Sequence, residues 1–110
     1  MINDQKIIWD NRMTLQLAQS LADISDVSLM QNFLRDVMTE KEITELSARL
    51  EAAKMLQEGK TYTEIAKQSK LSSRTIARIS QWLQNGTGGY SVALQLAAAH
   101  HDHLSPARAE

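Results

Sequence analysis

Eight side chains between positions 60 and 78 have the chemistry of polyanion binding: Lys60, Lys67, Lys70, Ser72, Ser73, Arg74, Thr75 and Arg78. An arginine fork can pair bidentately with a guanine edge, and serine and threonine hydroxyls can serve bases or phosphates. Lysine is better suited to holding a phosphate backbone than to reading sequence. From Lys60 to Leu83 five cations are offset by Glu64 alone, a local charge of +4. The whole chain carries −1, which leaves −5 on the remainder. An acidic body with one basic stretch steers a polyanion to that stretch and repels it elsewhere.

Other chemistry is weaker. His100, His101 and His103 surround Asp102, and imidazole with carboxylate can bind zinc or nickel. They fall in a terminal segment with no shell to orient ligands, so no metal is expected. Thr39, Ser47 and Ser72 read as caps or helix-face residues and not as nucleophiles. No histidine lies in the ordered body to act as a base, and the carboxylates are spread along helix faces. The run Asn85-Gly86-Thr87-Gly88-Gly89 lacks the Lys-Ser/Thr end of a phosphate-binding loop. The chain is therefore expected not to be an enzyme and to need no cofactor. With no cysteine there are no disulfides, which fits a reducing cytoplasm. The first residues lack a basic start followed by an apolar run, and nothing approaches the ~18 apolar residues of a membrane span. A soluble, cytoplasmic protein with no membrane partner is expected.

The elements that must position the basic stretch are helices. One proline and four glycines disfavour a turn-rich β fold, and a 43% hydrophobic content argues against wholesale disorder. Residues 1–11 have no period and read as loosely ordered. Met13, Leu17, Leu21 and Ile24 recur at helical spacing, giving an amphipathic helix from Arg12 to Ile24. Ser25 or Asp26 can cap a second helix to about Met38, with Val27, Met30, Phe33, Leu34, Val37 and Met38 on its apolar side. Thr39-Glu40-Lys41-Glu42 is a capping box. It opens a third, longest helix with Ile43, Leu46, Leu50, Ala53 and Leu56 on one side, stopped by Gly59. Thr61-Tyr62-Thr63-Glu64 is a second box, starting a short helix through Ser69. Lys70-Leu71 makes the turn, and Ser72 caps a fifth helix to about Gln84. Residues 91–100 form one more helix before a loose tail. The expected organisation is one helical domain over 1–110, with dimerisation helices in 12–58, a helix-turn-helix in 60–84 and a C-terminal helix and tail in 91–110.

A helix-turn-helix braces with one helix and lays the N-terminal turn of the next in the DNA major groove. Ile65, Leu71, Ile76 and Ile79 are apolar where the two helices must pack, and Ala66 is small where they cross. Ser72, Ser73, Arg74 and Thr75 fall in the reading turn, with Arg78 one turn further on. One position departs from the pattern: the turn usually has glycine in a left-handed conformation, and here it is Lys70, at roughly 1 kcal/mol of steric cost.

The stretch MTEKEITELSARLEAAKMLQEGKTYTEIA, then TIAR (Thr75 to Arg78), then LQNGTGGY resembles the Trp-repressor superfamily, and within it the YerC/YecD group. The resemblance is strong over roughly half the chain and extends to the N-terminal helices by pattern. It implies an all-α fold with a helix-turn-helix and an intertwined two-fold dimer on a palindromic operator in double-stranded DNA. It also places Arg49 and Arg78 where Trp repressor holds tryptophan between two arginines. The glycine that admits the indole there is Ile79 here, and a nearby serine position is Trp82. The expectation is a homodimeric, sequence-specific transcription regulator that senses another small molecule or none. Arg49 can instead pair with Glu45, Arg78 with phosphate, and Ile79 can simply be core. The competing reading is a helical interaction module whose basic face docks an acidic protein.

Overall fold

The computed structural model describes residues 7–108, with side-chain detail as far as His100. Among its described residues the secondary structure is helices joined by short turns, without strands. The chain divides into two compact units, the first ending at Thr44 and the second starting at Glu45.

In the first unit Ile7–Trp9 are already helical, and residues 1–6 of the segment expected to be loose lie outside the described residues. Asn11 caps α1 (Arg12–Asp23), its carboxamide oxygen accepting from the Met13 and Thr14 amides at 2.7 and 3.4 Å. Asp26 caps α2 (Val27–Val37) by accepting from the Leu29 amide at 3.0 Å. Met38 leaves the helix in an extended conformation, and its carbonyl accepts from Arg35 Nη1 at 3.0 Å. Both helices have the apolar stripe expected of them, yet neither has a buried residue. Met13, Leu15, Leu17, Val27, Leu29 and Val37 are all exposed.

α3 (Glu40–Gln57) opens on the Thr39–Glu42 capping box: the Glu42 amide donates to Thr39 Oγ1 at 3.1 Å, and the Thr39 amide to Glu42 Oε1 at 2.9 Å. It ends at Gly59, whose φ of +82° only glycine adopts at little cost. That reversal lets the Lys60 amide donate back to the Met55 carbonyl at 3.0 Å.

The second unit holds the core. Ala52, Ala53 and Met55 of α3 pack with Ile65 of α4 (Tyr62–Ser69) and with Ile76 and Ile79 of α5 (Ser73–Asn85). Leu56, Ala66, Leu71, Leu83, Tyr90 and Leu94 close around them. Each isoleucine contributes roughly 1.5–3 kcal/mol by leaving water, and the two alanines let the neighbouring helices approach α3 closely. Leu46 and Leu50 share the helical spacing of Ala53 and Leu56 but not their burial in the single chain. They are 55% and 38% exposed, and the buried residues are Ala52, Ala53 and Met55. α3 is apolar on more than one side, so spacing alone could not say which side turns inward.

α6 (Gly89–Arg108) also differs from expectation. It begins two residues before Ser91 and its backbone stays helical through Arg108, where a loose tail was expected after His100. Ala97, Ala98 and Ala99 have the highest helix propensity, and no stop signal precedes Pro106. No helix among the described residues is long and apolar enough to cross a membrane.

Candidate nucleic-acid interface

The interface is built outward from Ile65, Ile76 and Ile79. These side chains fix α4 against α5, so whatever projects from the far sides of the two helices is held on a rigid frame.

α4 starts on the second capping box. The Glu64 amide donates to Thr61 Oγ1 at 3.1 Å, and the Thr61 amide to Glu64 Oε1 at 2.9 Å. The hydrogen bond from the Thr61 backbone, helped by the Thr61 hydroxyl and by Lys60, holds the Glu64 carboxyl below the usual carboxylate range. Lys60, Glu64 and Lys67 line one depression along α4 with Met55 and Gln68. Two of the cations singled out by sequence are thereby brought together, with one carboxylate between them.

The turn follows. Lys70 has φ +65° and ψ +14°, so the left-handed conformation expected there is present on a non-glycine residue. Its amide donates to the Ala66 carbonyl at 2.9 Å. Beside it Ser69 is buried, donating to the Ile65 carbonyl at 2.7 Å and accepting from the Leu71 amide at 3.2 Å. Sequence reading passed over Ser69. Its only signal was a serine in the last turn of a helix directly before a residue that must turn left-handed.

Ser72 then caps α5. Its hydroxyl accepts from the Thr75 amide at 3.1 Å and donates to Thr75 Oγ1 at 3.1 Å. Ser72 and half-buried Thr75 are thus occupied with each other, leaving Ser73 and Arg74 as the exposed side chains of the first turn without that duty. Arg78 is exposed one turn on from Arg74, on the same side of α5. Lys60, Lys67 and Lys70 are exposed as well. The eight residues singled out by sequence therefore divide into a cap pair, two first-turn side chains, Arg78 and three flanking lysines.

Ile79 is 2% exposed and belongs to the core. Trp82 is 46% exposed and lies across Gly86, where a Cβ would come within 2.6 Å of the Trp82 ring and 2.5 Å of its carbonyl oxygen. Beside the indole is an open groove of about 540 Å³, lined mainly by Leu46, Leu50, Trp82, Thr87, Tyr90 and Ala93. Arg49 is exposed, and neither it nor Arg78 lines that groove. Among the described residues no three His, Cys, Asp or Glu side chains converge as metal ligands. His100 is exposed, and the side chains of His101, Asp102 and His103 lie outside the described residues.

The sequence model of the Trp repressor protein family matches residues 13–98, from the first turn of α1 well into α6. The chain belongs to the Trp repressor family. It is 38% identical over 79 residues to the uncharacterized protein YerC of Bacillus subtilis, covering 72% of this chain and 76% of that protein. Among solved structures of the family, a TrpR-like protein from Eubacterium eligens superposes with a TM-score of 0.76 at 34% identity, over 82% of this chain and 93% of its own. A candidate Trp repressor from Staphylococcus aureus gives 0.73 at 31% identity, over 80% and 88%. The two frameworks agree with the helical fold described above.

Proposed function

We propose that this Trp repressor family member is a cytoplasmic, homodimeric transcription regulator. Its helix-turn-helix, α4 and α5, reads a palindromic operator in double-stranded DNA. The observation that carries this reading is the first turn of α5. Ser73, Arg74 and, a turn later, Arg78 project from a helix anchored by buried Ile76 and Ile79, flanked by exposed Lys60, Lys67 and Lys70. Arg74 and Ser73 are the base readers in this account. The lysines and Arg78 hold phosphate, while Ser72 and Thr75 set the helix start.

Dimerisation is favoured by what a single chain leaves in water. Two amphipathic helices without a buried residue, and a third with Leu46 and Leu50 exposed, are matched economically by a second copy. Paired reading heads then require half-sites about one DNA turn apart.

Tryptophan is not the signal in this reading. Ile79 is a buried core residue at the position where the family resemblance calls for glycine, and Trp82 brings a second large side chain nearby. Arg49 stays available for a different small effector. Isothermal titration with tryptophan should give no micromolar binding, and a micromolar isotherm would overturn this part.

The test of the main proposal is selection from a random duplex library followed by a gel shift. The selected site should be palindromic and bound with an affinity that falls steeply with salt through counterion release. Substituting Arg74→Ala should cost about 1–3 kcal/mol on that site and relax preference at one base position per half-site. Absence of binding at low salt, with retained binding to acidic protein partners, would instead favour an interaction module.

A further inference from the structure

Two features of unit 45–110 are singular among the described residues and sit side by side. Ser69 is the one buried polar residue, and Lys70 the one non-glycine residue with positive φ. Strain of this kind persists where the surrounding structure over-determines it, and it gathers at sites that use it. Glycine would adopt φ +65° without a Cβ penalty, so the lysine needs both a support and a use.

Ser69 supplies the support. Its hydroxyl donates to the Ile65 carbonyl one turn back at 2.7 Å and accepts from the Leu71 amide just past the bend at 3.2 Å. The two bonds bridge Lys70 from either side. The Ile65 and Leu71 side chains at their ends belong to or pack on the core. The Leu71 amide is partly buried, and without the hydroxyl it would lose its partner. The main chain at Lys70 is also tied through its own amide to the Ala66 carbonyl at 2.9 Å. The bend is thus held at both flanks by the Ser69 hydroxyl and at Lys70 itself by the Ala66 carbonyl.

The use follows from the proposed DNA reading, on which this part rests. A glycine turn has nothing to present, whereas Lys70 puts an exposed ammonium at the bend between brace and reading helix. We propose that Ser69 is the positioning residue of this turn: its buried hydroxyl clamps Lys70 left-handed, so that a phosphate-binding cation sits at the bend and the first turn of α5 keeps a fixed angle to DNA.

The test uses the full chain as wild type, Ser69→Ala, Lys70→Gly and the double variant. Three quantities are read: the melting midpoint, hydrogen exchange of the Leu71 amide, and preference for the selected operator over unrelated duplex with its salt slope. Ser69→Ala should speed Leu71 exchange at least tenfold, lower the midpoint by several degrees and cut operator preference at least fivefold. Lys70→Gly should leave the midpoint unchanged or raised, as relief of the Cβ penalty offsets glycine's greater chain entropy. It should keep the preference and reduce the salt slope by about one, the signature of one lost phosphate contact. In the double variant glycine holds the bend unaided, so operator preference should recover to within twofold of Lys70→Gly alone. A residue that only fills space would show no such recovery. Unchanged Leu71 exchange in Ser69→Ala, or strictly additive losses in the double variant, would overturn the proposal. If the wild type binds no duplex, the DNA reading falls, while the midpoint and exchange arms still decide the role of Ser69.

Discussion

The two units of this chain have similar helices and opposite burial. α1 and α2 are amphipathic, cleanly capped by Asn11 and Asp26, and bury nothing completely. α3 to α6 have a centre of Ala52, Ala53, Met55, Ile65, Ile76 and Ile79, with their polar ends held in capping boxes and turns. The difference teaches that an apolar stripe specifies that a surface will be covered, not by what. In the second unit the cover comes from the same chain. In the first it is partial among the described residues: Leu21, Ile24, Met30, Phe33 and Leu34 are half-buried while Met13, Leu17, Val27, Leu29 and Val37 stay exposed, which is the basis for proposing a shared core.

The contrast can be broken or sharpened by substitution. The largest effect is expected in the second unit: Ile76→Ala removes three carbons from a fully buried position and should cost about 2–5 kcal/mol by chemical denaturation. A loss below about 1 kcal/mol would mean the core there is not as close-packed as described. In the first unit, Leu29→Asp touches an exposed side chain. In a monomer it should change stability by no more than about 0.5 kcal/mol. With a shared core it should instead dissociate the assembly in analytical ultracentrifugation and remove the concentration dependence of melting.

Smaller effects probe the caps. Ser72→Ala frees the Thr75 amide at the start of α5 and should cost about 0.5–2 kcal/mol, with little change if water replaces the cap fully. The smallest is a matter of pH. Because the Glu64 carboxyl is held below its usual range by the Thr61 backbone, it favours the folded state above its unfolded pKa. That contribution is lost as pH falls through the lowered folded value. Glu64→Gln should therefore remove a small acid-side slope in the melting midpoint and leave the profile above neutral pH unchanged.

What could be read from sequence was local. Both capping boxes, Ser72 as a cap, Gly59 as a stop and the left-handed Lys70 each depend on a few neighbouring residues, and all are present. What could not be read needed a third dimension. Leu46 and Leu50 match helical spacing as well as Ala53 does, and only packing against α4 and α5 selects Ala52, Ala53 and Met55 as the buried side. Ser69 looked like an ordinary polar helix end because its burial comes from residues elsewhere in the chain. Trp82 could be placed from sequence only as a large side chain near Ile79; that it lies half-exposed over Gly86 and lines an open groove needed the structure. The candidate interface was legible as a set of residues. Its division into a cap pair, two first-turn side chains and flanking cations was not, since Ser72 and Thr75 could be seen to satisfy each other only once their oxygens were placed.

The central claim is that exposed Arg74, on a helix start fixed by Ser72 and Thr75, reads DNA from each of two heads. The most direct measurement is a salt titration of binding to the selected duplex, comparing wild type with Arg74→Ala and a full palindrome with a single half-site. The account predicts that Arg74→Ala loses about 1–3 kcal/mol on the palindrome while binding unrelated duplex nearly as well as wild type, and that the half-site is bound far more weakly than the palindrome. Equal affinity for half-site and palindrome, or an Arg74→Ala loss of the same size on every duplex, would contradict it.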